Sequence, residues 1–188
     1  MPMTDHTFRI GSSGPKLKSK FRGVLTKITE GPEKPIRNAA VAIVAAKYNA
    51  KYTDALVEAA RAELTAGGVT RVEVVRVPGS FEIPVVAARL TKSNDPEFEA
   101  VICFGAILQG QTTHAENIAD SVSHSLAQLQ VTSGKPVIHG VLLFDNEDQA
   151  KVRCLSTDHN RGIEAARTAI DMIRVMRSLQ NFEREEPI

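Results

Sequence analysis

The chain has 188 residues, 43% hydrophobic and 24% charged, with a formal net charge of +1, which predicts one ordinary globular domain and argues against a strong electrostatic claim on nucleic acid. Tryptophan is absent and aromatics are 5%, so no base-stacking platform is evident. No apolar run reaches the ~18 residues needed to span a bilayer.

Residues 1–37 are polar and basic, with Gly11, Gly14, Pro15, Gly31, Pro32 and Pro35. They lack the apolar core of a secretory signal and read as a flexible or extended arm. A transit peptide is the weaker reading, because Asp5, Glu30 and Glu33 spoil an acid-poor composition. The regular pattern starts at Asn38. Ala39 to Ala46 is a wholly apolar run, suited to a strand buried on both faces. Leu56, Ala59, Ala60 and Leu64 then follow at helical spacing and stop at Gly67-Gly68. Val72 to Val77 is a second strand, and its Glu73 and Arg76 suggest a sheet edge. Phe81 to Leu90 reads as a helix that tolerates Pro84 only near its first turn.

Ala100 to Leu108 is a third strand, apolar throughout. Thr113 and Glu116 have the form of a capping box opening a helix, which Ile118, Val122, Leu126 and Leu129 continue to Gly134. Pro136 to Phe144 is a fourth strand. Asn146 with Gln149 caps a short helix to about Cys154. A last helix starts near Arg161, carrying Ile163, Ala166, Ile170 and Ile173, and residues 181–188 form a tail. Cys103 and Cys154 have no metal-like spacing and read as buried reduced thiols of a cytoplasmic protein.

Alternating apolar strands and helices predict a parallel sheet covered on both faces. The expectation is a flavodoxin-like three-layer α/β/α sandwich over residues 38–180, with a four-stranded sheet in the order 2-1-3-4. Ligands of such sheets bind outside the carboxyl ends of the strands. That rule selects the turn at Tyr48-Asn49, the turn from Pro78 to Glu82, and the turn from Gly110 to His114. It also selects the end of the fourth strand, to which His139 is assigned along with Phe144 and Asn146.

Each of these residues has two readings. Gly110, Gln111 and Thr112 lead into a helix N-terminus, where free N–H groups favour an anion such as phosphate; strand-to-helix turns also use Gly and Thr for local reasons. His114, in the first helical turn, is a proton carrier with a pKa lowered by the dipole, or a surface histidine. Arg153 and Arg161 clamp a phosphate or carboxylate, or are solvated helix charges. Tyr48 and Phe81 stack on a flat heterocycle, or plug the strand ends. Glu82 accepts from a polyol, or complements a helix dipole.

Read in order, Tyr48-Asn49, PGSFEIP from Pro78 to Pro84, GAILQGQTTH from Gly105 to His114, PVIHGV from Pro136 to Val141, and Arg153 followed by HNRG to Gly162 resemble the motifs of the lumazine synthase family. The resemblance runs from Asn38 to about Leu179 and leaves the arm outside. It implies condensation of 5-amino-6-(D-ribitylamino)uracil with 3,4-dihydroxy-2-butanone 4-phosphate to give 6,7-dimethyl-8-ribityllumazine, in riboflavin biosynthesis, with no metal or organic cofactor.

By motif, Tyr48 with Asn49 would meet the pyrimidine, and Ser80, Phe81 and Glu82 the ribityl chain and ring edge. Ala106, Ile107 and Leu108 would line the uracil site. Gly110, Gln111, Thr112 and Arg153 would hold the phosphate, and His114 would move protons. His139 stands where the family commonly has a phenylalanine from the neighbouring subunit, and Arg161 where it usually has a lysine. Gln109 and Ala115 also depart, replacing an arginine and an aromatic. The resemblance further implies a homopentamer with active sites between subunits, and in some members an icosahedral shell of pentamers. The departures at Gln109, Ala115 and His139 keep a second class in view, a flavin or lumazine binder without turnover; a shell-forming compartment protein is a separate alternative. A flavodoxin-like signalling domain lacks support, since no acidic cluster gathers at the strand ends.

Overall fold

The structure is a computed structural model that describes residues 36–94 and 97–185. The expected arm therefore lies outside the described residues except for Ile36 and Arg37. The elements, in chain order, are β1 (Ala40–Ala46), α1 (Ala50–Ala66), β2 (Arg71–Val77), a 3-10 turn (Ser80–Glu82), α2 (Ile83–Leu90), β3 (Ala100–Leu108), α3 (His114–Ser133), β4 (Val137–Phe144), α4 (Glu147–Leu155) and α5 (Arg161–Glu185). By their contacts, described residues 36–177 belong to one compact unit, and residues 178–185 belong to a second. Of the second unit, residues 178–185 are described, and they are helical, including positions 181–185 of the expected tail.

All strand pairs are parallel, and the sheet order is β2-β1-β3-β4, as the apolar runs predict. The alternation of side chains along the strands builds two cores. Val41, Ile43, Ala45, Ile102 and Phe104 face one way, packing with Leu56 and Leu64 of α1 and Ala166, Ala169 and Ile173 of α5. Ala42, Val44, Val101 and Cys103 face the other way, against Ile83 and Ala87 of α2 and Val122 and Leu126 of α3. This is the expected α/β/α sandwich. Each fully buried Ile or Leu contributes roughly 1.5–3 kcal/mol over its exposed state, so the layers are held chiefly by β1 and β3. β2 lies at an edge, with Arg71 and Glu73 exposed and bonded to each other at 2.9 Å.

Local chemistry sets the helix ends. The Asn146 side chain accepts from Gln149 N at 3.0 Å and opens α4. Pro84 sits in the first turn of α2, where its missing N–H costs nothing. Gly134 closes α3 at φ 64°. The buried Asn160 joins α4 to α5: its Oδ1 accepts from Gly162 N at 2.8 Å, and its Nδ2 donates to Cys154 O at 2.6 Å. Arg177 makes a bidentate pair with Glu99 at 2.7 and 2.6 Å, tying α5 to the approach to β3.

Candidate active site

The carboxyl ends of β1 and β3 open into a cleft of about 750 Å³, lined by the turn after β1, the 3-10 turn, the end of β3, the loop before α3 and the first turns of α3. Its location follows from the sheet order. β1 and β3 lie side by side, and their outgoing turns diverge and leave a crevice.

The β1 turn is fixed by main-chain bonds from Lys47 N to Val77 O at 2.7 Å and from Tyr48 N to Pro78 O at 3.1 Å. Asn49 then adopts φ 56°, a left-handed conformation that asparagine tolerates better than most residues. Its side chain does not cap α1 but crosses to donate to Ala106 O at 2.7 Å. The turn is thereby tied to the end of β3, and Tyr48 is left 73% exposed at the lip.

Phe81, in the 3-10 turn, is 61% exposed at the same cleft. Two large aromatic faces left open beside one crevice fit a site for a flat ligand. Glu82 accepts from Gly79 N at 2.9 Å, so its carboxylate braces the turn it follows. Ser80 is buried beneath the turn. Gly105 makes room for it: a Cβ on Gly105 would overlap the Ser80 hydroxyl and come within 3.1 Å of Val141 Cγ1.

Ala106, Ile107 and Leu108 form the cleft wall, and Gly110, Thr112 and His114 form its lip. A Cβ on Gly110 would meet nothing within 4 Å, so packing does not demand glycine there. The expected capping box is absent. Thr113 has φ −71° and ψ 5°, not the extended geometry of a capping residue, and its side chain makes no cap bond. Instead the Thr112 hydroxyl accepts from His114 N at 3.4 Å, a long bond that turns Thr112 toward the start of α3. Asn117, Ile118 and Ser121 also line the cleft. They repeat from His114 at helical spacing, and that spacing was the signal that could have placed them.

Four expected residues lie elsewhere. Gln111 is exposed on the loop but does not line the cleft. Arg153 and Arg161 line a second cleft of about 680 Å³ with Leu142, Phe144 and Asn146. The two clefts flank the ends of β3 and β4 and share no lining residue. Arg161 pairs with Glu164, whereas Arg153 has no ion-pair partner among the described residues.

His139 corrects the strand-end assignment. It is the third residue of β4, paired with Cys103, well before the carboxyl end. The Ser123 hydroxyl commits its proton to Ala119 O at 2.7 Å, so it accepts from His139 Nε2 at 2.8 Å. Partial burial pushes this imidazole below its ordinary pKa, against a smaller upward pull from its own backbone. Burial also pushes the Cys154 thiol up to about 11, and the Cys103 thiol higher still. No cluster of three His, Cys, Asp or Glu side chains that could hold a metal ion occurs among the described residues. No described helix is long and apolar enough to cross a membrane.

Known proteins carry the same arrangement of sequence. The profile of the 6,7-dimethyl-8-ribityllumazine synthase family matches residues 38–177. The 6,7-dimethyl-8-ribityllumazine synthase of Stenotrophomonas maltophilia is 36% identical over 152 residues, covering 80% of this chain and 97% of its own. That of Kineococcus radiotolerans is 40% identical over 141 residues, 74% of this chain and 86% of its own. That of Xanthomonas oryzae pv. oryzae is 36% identical over 152 residues, again 80% of this chain and 97% of its own. The match spans β1 to α5 and every turn that builds the cleft, and the chain belongs to the 6,7-dimethyl-8-ribityllumazine synthase family.

Proposed function

We propose that the chain is an active 6,7-dimethyl-8-ribityllumazine synthase. It joins 5-amino-6-(D-ribitylamino)uracil to 3,4-dihydroxy-2-butanone 4-phosphate in riboflavin biosynthesis, releasing phosphate and water. The observation that carries this reading is the single cleft in which the exposed Tyr48 and Phe81, the β3 wall and His114 meet. Such a cleft suits a planar pyrimidine held against the wall, with a proton carrier at the rim.

The chemistry asks little else. The pyrimidine 5-amino nitrogen bonds to the ketone carbon, and water leaves to give an imine. Phosphate is then eliminated. The ribityl-bearing nitrogen closes the ring on the remaining carbonyl, and a second water departs. His114 takes and returns the protons of these steps, a contribution of about 10²–10⁴-fold for a positioned acid–base group. Holding both substrates in register supplies more, up to ~7–11 kcal/mol in favourable systems. Gly110, Gln111 and Thr112 receive the leaving phosphate, as N–H groups at a helix start favour an anion.

The finer assignment is a homopentamer whose active sites lie between subunits. It is supported by the separation of Arg153 and Arg161 from His114 within one chain: they line another cleft, where Arg153 has no ion-pair partner among the described residues and is available to a neighbouring copy. His139 comes from that same neighbour and borders the ring. A cytoplasmic location fits the two buried free thiols. Light scattering separates a free pentamer from an icosahedral shell.

The direct test mixes the purified protein with both substrates and follows lumazine absorbance and fluorescence, with His114→Ala and Arg153→Ala in parallel. Product from the parent chain and a loss in both variants is the expected result. No product, with a lumazine analogue still bound, would replace the enzyme with a binder.

A further inference from the structure

We infer that Gln109 is a positioning residue that holds the Gly110–Thr112 loop in its anion-receiving form and so sets affinity for the phosphate-bearing substrate. The inference rests on the reading above that this loop takes the phosphate. Gln109 itself does not line the cleft. Its backbone N–H donates to Phe144 O at 2.8 Å, carrying the β3–β4 pairing one residue beyond Leu108. The main chain is thus anchored where the loop departs. Its side chain spans the loop, with Nε2 donating to Thr112 O at 3.3 Å. That bond fixes the amide orientation, since the reverse would set oxygen against oxygen.

The same orientation leaves Gln109 Oε1 shielded from solvent with no hydrogen-bond partner among the described residues. A buried acceptor without a donor is unfavourable. A residue needed only to fill space beneath the loop would avoid that penalty as leucine. The useful part of the amide is therefore its Nε2 bond. Through it Gln109 restrains Thr112, and the Thr112 hydroxyl in turn receives His114 N at the first residue of α3. One neutral side chain thereby links the strand end, the loop and the residue proposed to move protons. Gln109 carries no charge, so the loop's hold on an anion depends on where its N–H and hydroxyl groups point, and Gln109 governs that direction.

The test uses the assembled full-length protein with inorganic phosphate as probe, read by calorimetry, beside steady-state kinetics for each substrate. Variants are Gln109→Leu, which removes the donor and the unpaired oxygen together, and Gln109→Arg, which restores a donor. The expected result is that Leu raises the phosphate Kd and the KM for the butanone phosphate in parallel by about tenfold, as for loss of one hydrogen bond. The KM for the pyrimidine and the Tm stay at the parent values or the Tm rises, and Arg recovers the affinity.

A Leu variant with unchanged phosphate Kd and KM overturns the inference. So does a uniform loss of both KM values, kcat and Tm, which marks a structural role. A parent protein that binds phosphate, loses it on Gln109→Leu and makes no lumazine would keep Gln109 in this role and sink the synthase reading. A parent that binds no phosphate overturns both.

Discussion

Replacing Gly105 by alanine tests whether the cleft depends on the close approach of the 3-10 turn to β3. The added methyl overlaps the Ser80 hydroxyl, with Val141 Cγ1 at 3.1 Å and Ser80 Cβ at 3.2 Å. Ordinary carbon contacts begin near 3.5 Å, so Ser80 or β3 must yield in a region buried on the other sides. Overpacking of this kind costs about 1–3 kcal/mol. If the turn moves as a unit, Phe81 and Glu82 move with it, and a displacement approaching 1 Å costs on the order of 10²-fold in rate. The assay pairs urea unfolding with kcat/KM for lumazine formation. Gly105→Ala should lose stability and raise the KM for the pyrimidine more than that for the phosphate substrate. Adding Ser80→Ala removes the overlapping oxygen, so the double variant should regain most of the lost stability. Strictly additive losses would refute the reasoning, because neighbours that clash must couple.

Three further outcomes follow from the same geometry. Asn49→Ala should destabilise by about 1–3 kcal/mol, from the lost bond to Ala106 O and the left-handed backbone, whereas Asn49→Gly loses only the bond; urea unfolding of both separates the two effects. His139 has a lowered pKa, so the unfolded chain binds the proton first. Its contribution to stability should be intact above the ordinary imidazole pKa, fall as pH drops from there through the folded pKa, and level off below. Thermal melts from neutral to mildly acid pH should show that slope, and His139→Phe should remove it. Cys103 and Cys154 are buried with raised pKa values. A chromogenic disulfide reagent should find neither thiol in the native protein and both after denaturation; rapid native labelling would contradict the burial of the β3 core and the α4 packing.

The layer order was readable because β1 and β3 are apolar at every position, which only a doubly covered strand satisfies. The cleft was readable because its turns come straight after those strands. What escaped reading depended chiefly on backbone angles and long-range contacts. Thr113 and Glu116 have the right letters for a capping box, but at φ −71° and ψ 5° the Thr113 hydroxyl is aimed elsewhere, and Thr112 takes the amide instead. His139 lies well inside the run read as Pro136 to Phe144, and β4 starts only two residues before it, so its assignment to the strand end contradicted the strand's own bounds. Asn49 was placed at the site by its turn and motif, but not as the tie between that turn and β3. Its bond to Ala106 joins residues 57 apart in sequence, beyond any local rule.

The two clefts on one chain have a genetic consequence. If one chain supplies His114 to a site and its neighbour supplies Arg153, a defect in either is confined to half of a site. Chains carrying His114→Ala and chains carrying Arg153→Ala, each inactive alone, should therefore restore one another when co-expressed. Random mixing in equal amounts would leave about a quarter of the interfaces with both residues intact. Activity near that fraction of the parent would mark a shared site. Silence in the mixture, with mixed oligomers shown to form, would mean that each chain works alone.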